Sequence, residues 1–239
     1  MSLKLTPEDR PDDTLTLISR SIFRLGRSRQ DADFVSWFWP RTKDNDEKTK
    51  RISKVHVVGE VSGEEVFFRD SGTSNGTTYN GVTLDAEPGL QLDRRGILSL
   101  ATEYTLDVLH SPSRFSSRPP SISNINKWSG PVEERSPWLG AVRCLPTSGD
   151  PTPFRSIWML SDAEFGTSNS NPVILKDEGL AEIQGQFFHY RGCYWLENAV
   201  DNRAVAIDDQ ILDASSVAPL TTGQRLTFGK KSYRVEIGD

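Results

Sequence analysis

An arginine follows a glycine at Gly26-Arg27 in "FRLGRS", and Ser53, Lys54 and His56 stand at the mouth of a strand-like run in "RISKVH". The stretch "DSGTSNGTTYNG", Asp70 to Gly81, supplies hydroxyls, amides and glycines but almost nothing for a core. The chemistry open to these side chains is that of donors. Arg27 offers a planar fork of N–H groups, Ser53 and Ser74 offer hydroxyls without bulk, and Lys54 adds a point charge. Such a set suits an anion with several acceptor oxygens. Asn75-Gly76 and Asn80-Gly81 mark tight turns where positive φ is tolerated. Each residue also has a plainer reading: a surface arginine after a turn, ordinary turn serines, a solvated lysine. His56, at a strand start, reads as a histidine that braces neighbouring loops without touching a ligand.

No catalytic constellation accompanies them. His56, His110 and His189 are dispersed, and no serine or cysteine is placed with a base by a recognisable motif. "GQRLTFGKKS", Gly223 to Ser232, echoes a phosphate-binding loop, but its glycine spacing is one too long and Lys231 follows Gly229-Lys230. It reads as a hairpin turn. Cys144 and Cys193 lie far apart without a C-x-x-C, so neither a disulfide framework nor a zinc site is expected, and both are expected reduced and half-buried. The chain is expected to be no enzyme, with no cofactor and no metal.

The elements that must position the donors are strands. Short β-branched and aromatic runs bounded by Gly, Asn, Asp and Pro recur throughout, and "VHVVGEV" and "YTLDV" alternate with the period of a half-buried strand. No helix of any length is expected, and the fold class is all-β. The 239 residues favour two compact units. Between them, Ser111 to Ser136 is rich in Ser and Pro and reads as an exposed linker. The expected organisation is therefore 1–110, a linker 111–136, and 137–239. "GILSLATEYTLDV" and "QRLTFGKKSYRVEI" share an interrupted apolar alternation, which points to an internal repeat.

Composition narrows the partners. Hydrophobic content of 36% and charged content of 26% describe a globular chain with a hydrated surface. A net charge of −5 argues against nucleic acid, whose binding requires many phosphates to be neutralised. No run approaches the roughly 20 apolar residues of a membrane span, and "MSLKLTPEDRPDD" lacks an apolar signal centre, so a cytoplasmic setting is expected. That setting would leave the sequon Asn75-Gly76-Thr77 idle.

Taken together, Gly26-Arg27, Ser53-Lys54-Val55-His56 and Asp70 with "SGTSNGTTYNG" resemble the motif set of a forkhead-associated (FHA) domain, over about Leu3 to His110. The resemblance implies a β-sandwich of mostly antiparallel strands that reads phosphothreonine. It implies phosphopeptide contacts from Arg27, Ser53, Lys54, Ser74 and Asn75, and loop bracing by Gly26, His56, Gly76, Thr77 and Asn80. A phosphothreonine brings about −1.5 to −2 charges and three acceptor oxygens, which the forked cation and small hydroxyls suit. The implied partner is a phosphothreonine protein, either a Ser/Thr kinase substrate or the kinase itself.

The second unit departs from the pattern. "FGTS" places Thr167 where the arginine was expected, and "LAEIQG" offers Ala181, Glu182 and Gln184 for Ser, Lys and His. Asn202 is retained, while the Gly-Thr and the second Asn-Gly are lost. Without the fork and with Glu182 added, this unit is expected to bind no phosphate and to pack or scaffold. Arg27 and Ser53 stand 26 positions apart, whereas Thr167 and Ala181 stand 14 apart, so the first unit carries about a dozen extra residues within "WFWPRTKDNDEKTKRI". These read as a solvated loop beside the donors, with extension of the peptide contacts by its basic end, Lys48, Lys50 and Arg51, as the alternative. A phosphate-independent assembly protein is the alternative reading of the whole.

Overall fold

Isolated strands leave their backbone donors and acceptors open, and runs of alternating apolar residues close them by pairing over a shared core. A computed structural model describes residues 1–63, 65–112, 139–147, 155–177, 179–190 and 192–238. In chain order the elements are β1 (Ser2–Pro7), β2 (Leu15–Ile18), β3 (Ile22–Gly26), β4 (Phe34–Val35), α1 (Lys43–Lys50), β5 (Val57–Ser62), β6 (Glu65–Asp70), β7 (Thr77–Tyr79), β8 (Val82–Thr83), β9 (Leu90–Gln91), β10 (Arg95–Leu100) and β11 (Tyr104–Ser111). There follow β12 (Ala141–Pro146), β13 (Arg155–Met159), β14 (Asp162–Gly166), β15 (Val173–Ile174), β16 (Gly185–Tyr190), β17 (Cys193–Asn198), β18 (Val205–Ile207), β19 (Gln210–Ile211), β20 (Ser216–Pro219), β21 (Arg225–Phe228) and β22 (Lys231–Gly238). The fold is all-β with mostly antiparallel pairs; β3–β4 and β14–β15 are parallel.

Two compact units result. The first comprises Arg20–His110 and Val142–Trp158, and the second Met1–Ser19, Ser111–Ala141 and Met159–Asp239. In the first, strands run β13-β12-β11-β10-β7-β8 in one layer and β4-β3-β5-β6-β9 in the other. In the second they run β19-β18-β21-β22-β1-β2 and β15-β14-β16-β17-β20. The two plans match place by place, with β10–β11 and β21–β22, the two similar sequence stretches, in corresponding positions.

These units do not coincide with the expected blocks 1–110 and 137–239. The hairpin β1–β2 belongs to the second unit, where β1 pairs with β22 from Ser2↔Gly238 to Pro7↔Tyr233. Leu3 and Leu5 are buried there, and the Tyr194 hydroxyl donates to Met1 O at 3.0 Å. Conversely, β13 carries Trp158 into the first unit. Its ring stacks on Phe23 at 5.4 Å and its indole N–H donates to Arg20 O at 2.7 Å. Residues 113–138, most of the expected linker, lie outside the described residues.

One helix forms where a loop was expected. Lys43–Lys50 is capped by Thr42, whose hydroxyl accepts from the Asn45 N–H at 3.2 Å. Asp44 and Asp46 sit in its first turn and Lys48 and Lys50 in its last, which suits the helix dipole. It buries no residue. The cysteines also differ from expectation: Cys144 is buried and Cys193 exposed. Among the described residues no helix is long and apolar enough to cross a membrane.

Candidate functional site

β3 must end on a glycine, because a Cβ at Gly26 would lie 2.1 Å from Lys54 O. That close approach sets the loop after β3 against the loop before β5. The Arg27 N–H donates to Ser53 O at 3.0 Å and the Ser28 N–H to Lys54 O at 3.2 Å. Arg27, Ser53 and Lys54 are thus brought onto one edge of the first unit.

His56 fastens the third loop. It is fully buried. Its Nδ1 accepts the Ser53 N–H at 2.9 Å, so the ring proton lies on Nε2, which donates to Gly76 O at 3.1 Å. Its backbone N–H reaches Leu25 O at 2.7 Å and its carbonyl accepts from Ser71 at 3.1 Å. Burial pushes the His56 pKa below its ordinary value, against the opposing pull of Gly76 O and Asp70, and keeps the ring neutral.

Asp70 shapes the turn that holds Ser74 and Asn75. Its carboxylate accepts from the Gly72 N–H at 2.7 Å, the Thr73 N–H at 2.6 Å, the Thr73 hydroxyl at 2.7 Å and the Thr77 hydroxyl. Burial works against the charge, but these donors outweigh it and hold the carboxyl below its usual range. Thr77 is buried, and Gly76 adopts φ +69°, a conformation that favours glycine. Asn75 Nδ2 donates to Arg51 O at 2.7 Å, tying the turn to the C-terminal end of α1.

The donors at this edge are unspent. The Arg27 guanidinium, the Lys54 ammonium and the Ser53 and Ser74 hydroxyls have no hydrogen bond or ion pair among the described residues, and Arg27 Nε is shielded from solvent without a partner. Ser74 and Lys54 are exposed, and Arg27 and Ser53 half-buried. Asn80 is not brought here. It lies at the opposite end of β7 with φ +51°, where Oδ1 accepts from the Ile97 N–H at 2.8 Å and Nδ2 donates to Asp93 at 2.9 Å.

Other supporting residues escaped the sequence reading. The Ser71 hydroxyl donates to Val55 O at 2.6 Å. The Trp37 indole N–H donates to Arg27 O at 2.6 Å, and the guanidinium carbons of Arg29 and Arg41 each lie 4.5 Å from the centre of its ring. Trp37, Phe38 and Trp39 follow β4 outside any strand, and all three are half-buried. A bond to a backbone carbonyl leaves no mark in residue type; the only available signal was the density of Arg and Trp after Arg27.

The second unit repeats this loop framework with other side chains. Thr167 N–H donates to Ala181 O at 3.0 Å and Ser168 N–H to Glu182 O at 3.2 Å. A Cβ at Gly166 would meet Glu182 O at 2.3 Å. Gln184 Oε1 accepts the Ala181 N–H at 2.9 Å, as His56 accepts that of Ser53. Asn202 Nδ2 reaches Gly179 O at 2.8 Å, as Asn75 reaches Arg51 O. Lys176 Nζ occupies the place of the Trp37 indole, donating to Thr167 O at 2.9 Å.

No known protein-family signature matches the chain, and no curated protein matches it. Among solved structures it is similar to the FHA domain of an Arabidopsis thaliana hypothetical protein, at 28% identity over 45% of this chain and 82% of that one, TM-score 0.31. It is also similar to the MEK1 FHA domain in complex with the HOP1 pThr318 peptide, at 19% identity over 41% and 88%, TM-score 0.28. A third is Mycobacterium tuberculosis EmbR in complex with a low affinity phosphopeptide, at 11% identity and TM-score 0.32. That match covers 34% of this chain and 21% of EmbR.

Proposed function

We propose that the first unit is an FHA domain that binds a phosphothreonine peptide through Arg27, Ser53, Lys54, Ser74 and Asn75. One observation carries this reading: the Arg27 guanidinium is without an ion pair among the described residues while its loop is locked to Ser53 and, through His56, to the turn of Ser74 and Asn75. A forked cation on a locked loop, with free small hydroxyls on the loops bound to it, fits a dianion with three acceptor oxygens. The ligand is then the product of a Ser/Thr kinase or the kinase itself, and the protein a signalling scaffold of the cytoplasm. A net charge of −5 sets it apart from nucleic-acid binders. The second unit, with Thr167 for the arginine, binds no phosphate and serves as a packing or interaction unit.

The test is fluorescence anisotropy of the full chain against a phosphothreonine peptide library and its unphosphorylated copies. Phosphate-dependent binding is expected, weakened at least about tenfold by Arg27→Ala. A library with no binder that depends on both the phosphate and Arg27 would sink the proposal.

A second reading, a phosphate-independent assembly protein, is favoured by the second unit, which keeps the loop framework without the cation. It requires that a natural partner stay bound after both Arg27→Ala and phosphatase treatment. Loss under both excludes it.

A further inference from the structure

Asparagine precedes glycine twice in the chain, at Asn75-Gly76 and at Asn80-Gly81. In such a pair the backbone nitrogen of the glycine can attack the side-chain carbonyl carbon of the asparagine, because no Cβ shields it. Both asparagines are exposed, but they differ in how firmly the carboxamide is held. Asn80 is fixed at three points: its N–H donates to Ile97 O at 2.9 Å, its Oδ1 accepts from the Ile97 N–H at 2.8 Å and its Nδ2 donates to Asp93 at 2.9 Å. Asn75 is held through Nδ2 alone, at Arg51 O. Its Oδ1 and the Gly76 N–H have no hydrogen bond among the described residues. A Cβ built on Gly76 would meet nothing within 4 Å, so the space beside this glycine is open. The Gly76 carbonyl, by contrast, is doubly engaged, accepting from His56 Nε2 at 3.1 Å and from the Ala101 N–H at 3.1 Å.

We propose that Asn75 is a site of spontaneous deamidation, which disables the phosphopeptide edge as the protein ages. The Gly76 nitrogen bonds to Asn75 Cγ and gives up its proton, the Cγ–Nδ2 bond breaks, and Nδ2 leaves as ammonia. Water then opens the resulting succinimide at one of its two carbonyl carbons. Opening at Cγ gives aspartate; opening at the main-chain carbonyl carbon gives isoaspartate, whose backbone runs through the former side chain. Either product carries a carboxylate in place of the amide, on the turn that holds Ser74. A carboxylate cannot donate to Arg51 O, and it repels a phosphate dianion. Isoaspartate also adds a carbon to the main chain directly before Gly76, shifting the carbonyl that His56 holds. The effect on a ligand rests on the reading of Arg27 and Asn75 given above; the reaction itself does not.

The full chain tests it, aged for days at mildly alkaline pH, which favours loss of the Gly76 proton. Samples are read by peptide mass spectrometry and by titration with a phosphothreonine peptide that binds the fresh protein. The mass gain of an amide turned to an acid should build up at Asn75 at least about tenfold faster than at Asn80, where two further hydrogen bonds must break. The binding-competent fraction should fall in step with it. Asn75→Asp, which installs one product outright, should bind at least about tenfold more weakly than fresh wild type. No gain at Asn75, or an equal gain at Asn80, overturns the site. A gain at Asn75 that leaves the binding of the aged protein unchanged overturns its effect on the ligand and leaves the Arg27 reading standing. Fresh protein that binds no phosphopeptide overturns the Arg27 reading, while the mass gain at Asn75 still decides the deamidation.

Discussion

At the residue scale, a ring nitrogen of His56 and the side-chain oxygen of Gln184 accept the same bond, from the backbone N–H three positions upstream, at 2.9 Å in both units. His56→Gln should therefore keep the first unit's loops in place and cost under about 1 kcal/mol. His56→Ala, which opens a void and strands the Ser53 N–H and the Gly76 carbonyl, should cost about 2–3 kcal/mol by urea denaturation. The two variants also separate the effect of pH. Burial lowers the His56 pKa, so the unfolded chain takes up a proton at higher pH than the native one. The stabilisation is whole above the unfolded value near ~6.5 and drains away as pH falls through it towards the native value. Wild type should lose stability on acidification that His56→Gln does not lose; parallel curves would refute the neutral, bracing ring. Gly26 and His56 were legible in the sequence because each place demands a residue type: no Cβ, and a buried acceptor. The place of Gln184 was legible as well, but not its bracing role, since a carboxamide meets the same demand under another letter; nor was the role of Trp37, whose partner is a backbone carbonyl.

At the scale of elements, the close crossing at the end of β3 has the sharpest consequence. A methyl at Gly26 would overlap Lys54 O, which is backbone and cannot swing aside. Gly26→Ala should destabilise the first unit by about 3 kcal/mol or more and weaken phosphopeptide binding in step, read by thermal melting and titration together. Binding intact in a stable Gly26→Ala protein would show that the crossing is not needed. The strands were readable from their alternation, as in β11, where buried and half-buried positions alternate along Tyr104–Val108. The length of the insertion was readable too, since the 3.0 Å bonds Arg27–Ser53 and Thr167–Ala181 bracket 26 and 14 positions. Its helix was missed because periodicity reports burial, and α1 buries nothing. Thr42, the acidic first turn and the basic last turn were its only marks.

At the scale of the whole molecule, alternation tells which face of a strand is buried but not which sheet it joins. The hairpins β1–β2 and β12–β13 stand at like places before each repeat, and nothing in their residues states that each serves the other unit. Both segments of the first unit thus fall within residues 20–158, and a fragment 20–158 should unfold cooperatively and bind phosphopeptide as the full chain does. A fragment 1–110 lacks β12, β13 and the Trp158 that stacks on Phe23. It should melt at lower temperature by circular dichroism; equal melting of the two fragments would contradict the exchange of hairpins. The pairing of β1 with β22 also orders events during synthesis. Lys4 emerges long before Glu236, its ion-pair partner 232 positions later, so the first unit can be finished on the ribosome while the opening strand still waits for its neighbour. A stop codon within β22 would then orphan that waiting strand and spare the unit already made, so that a single genetic lesion disables the second unit alone.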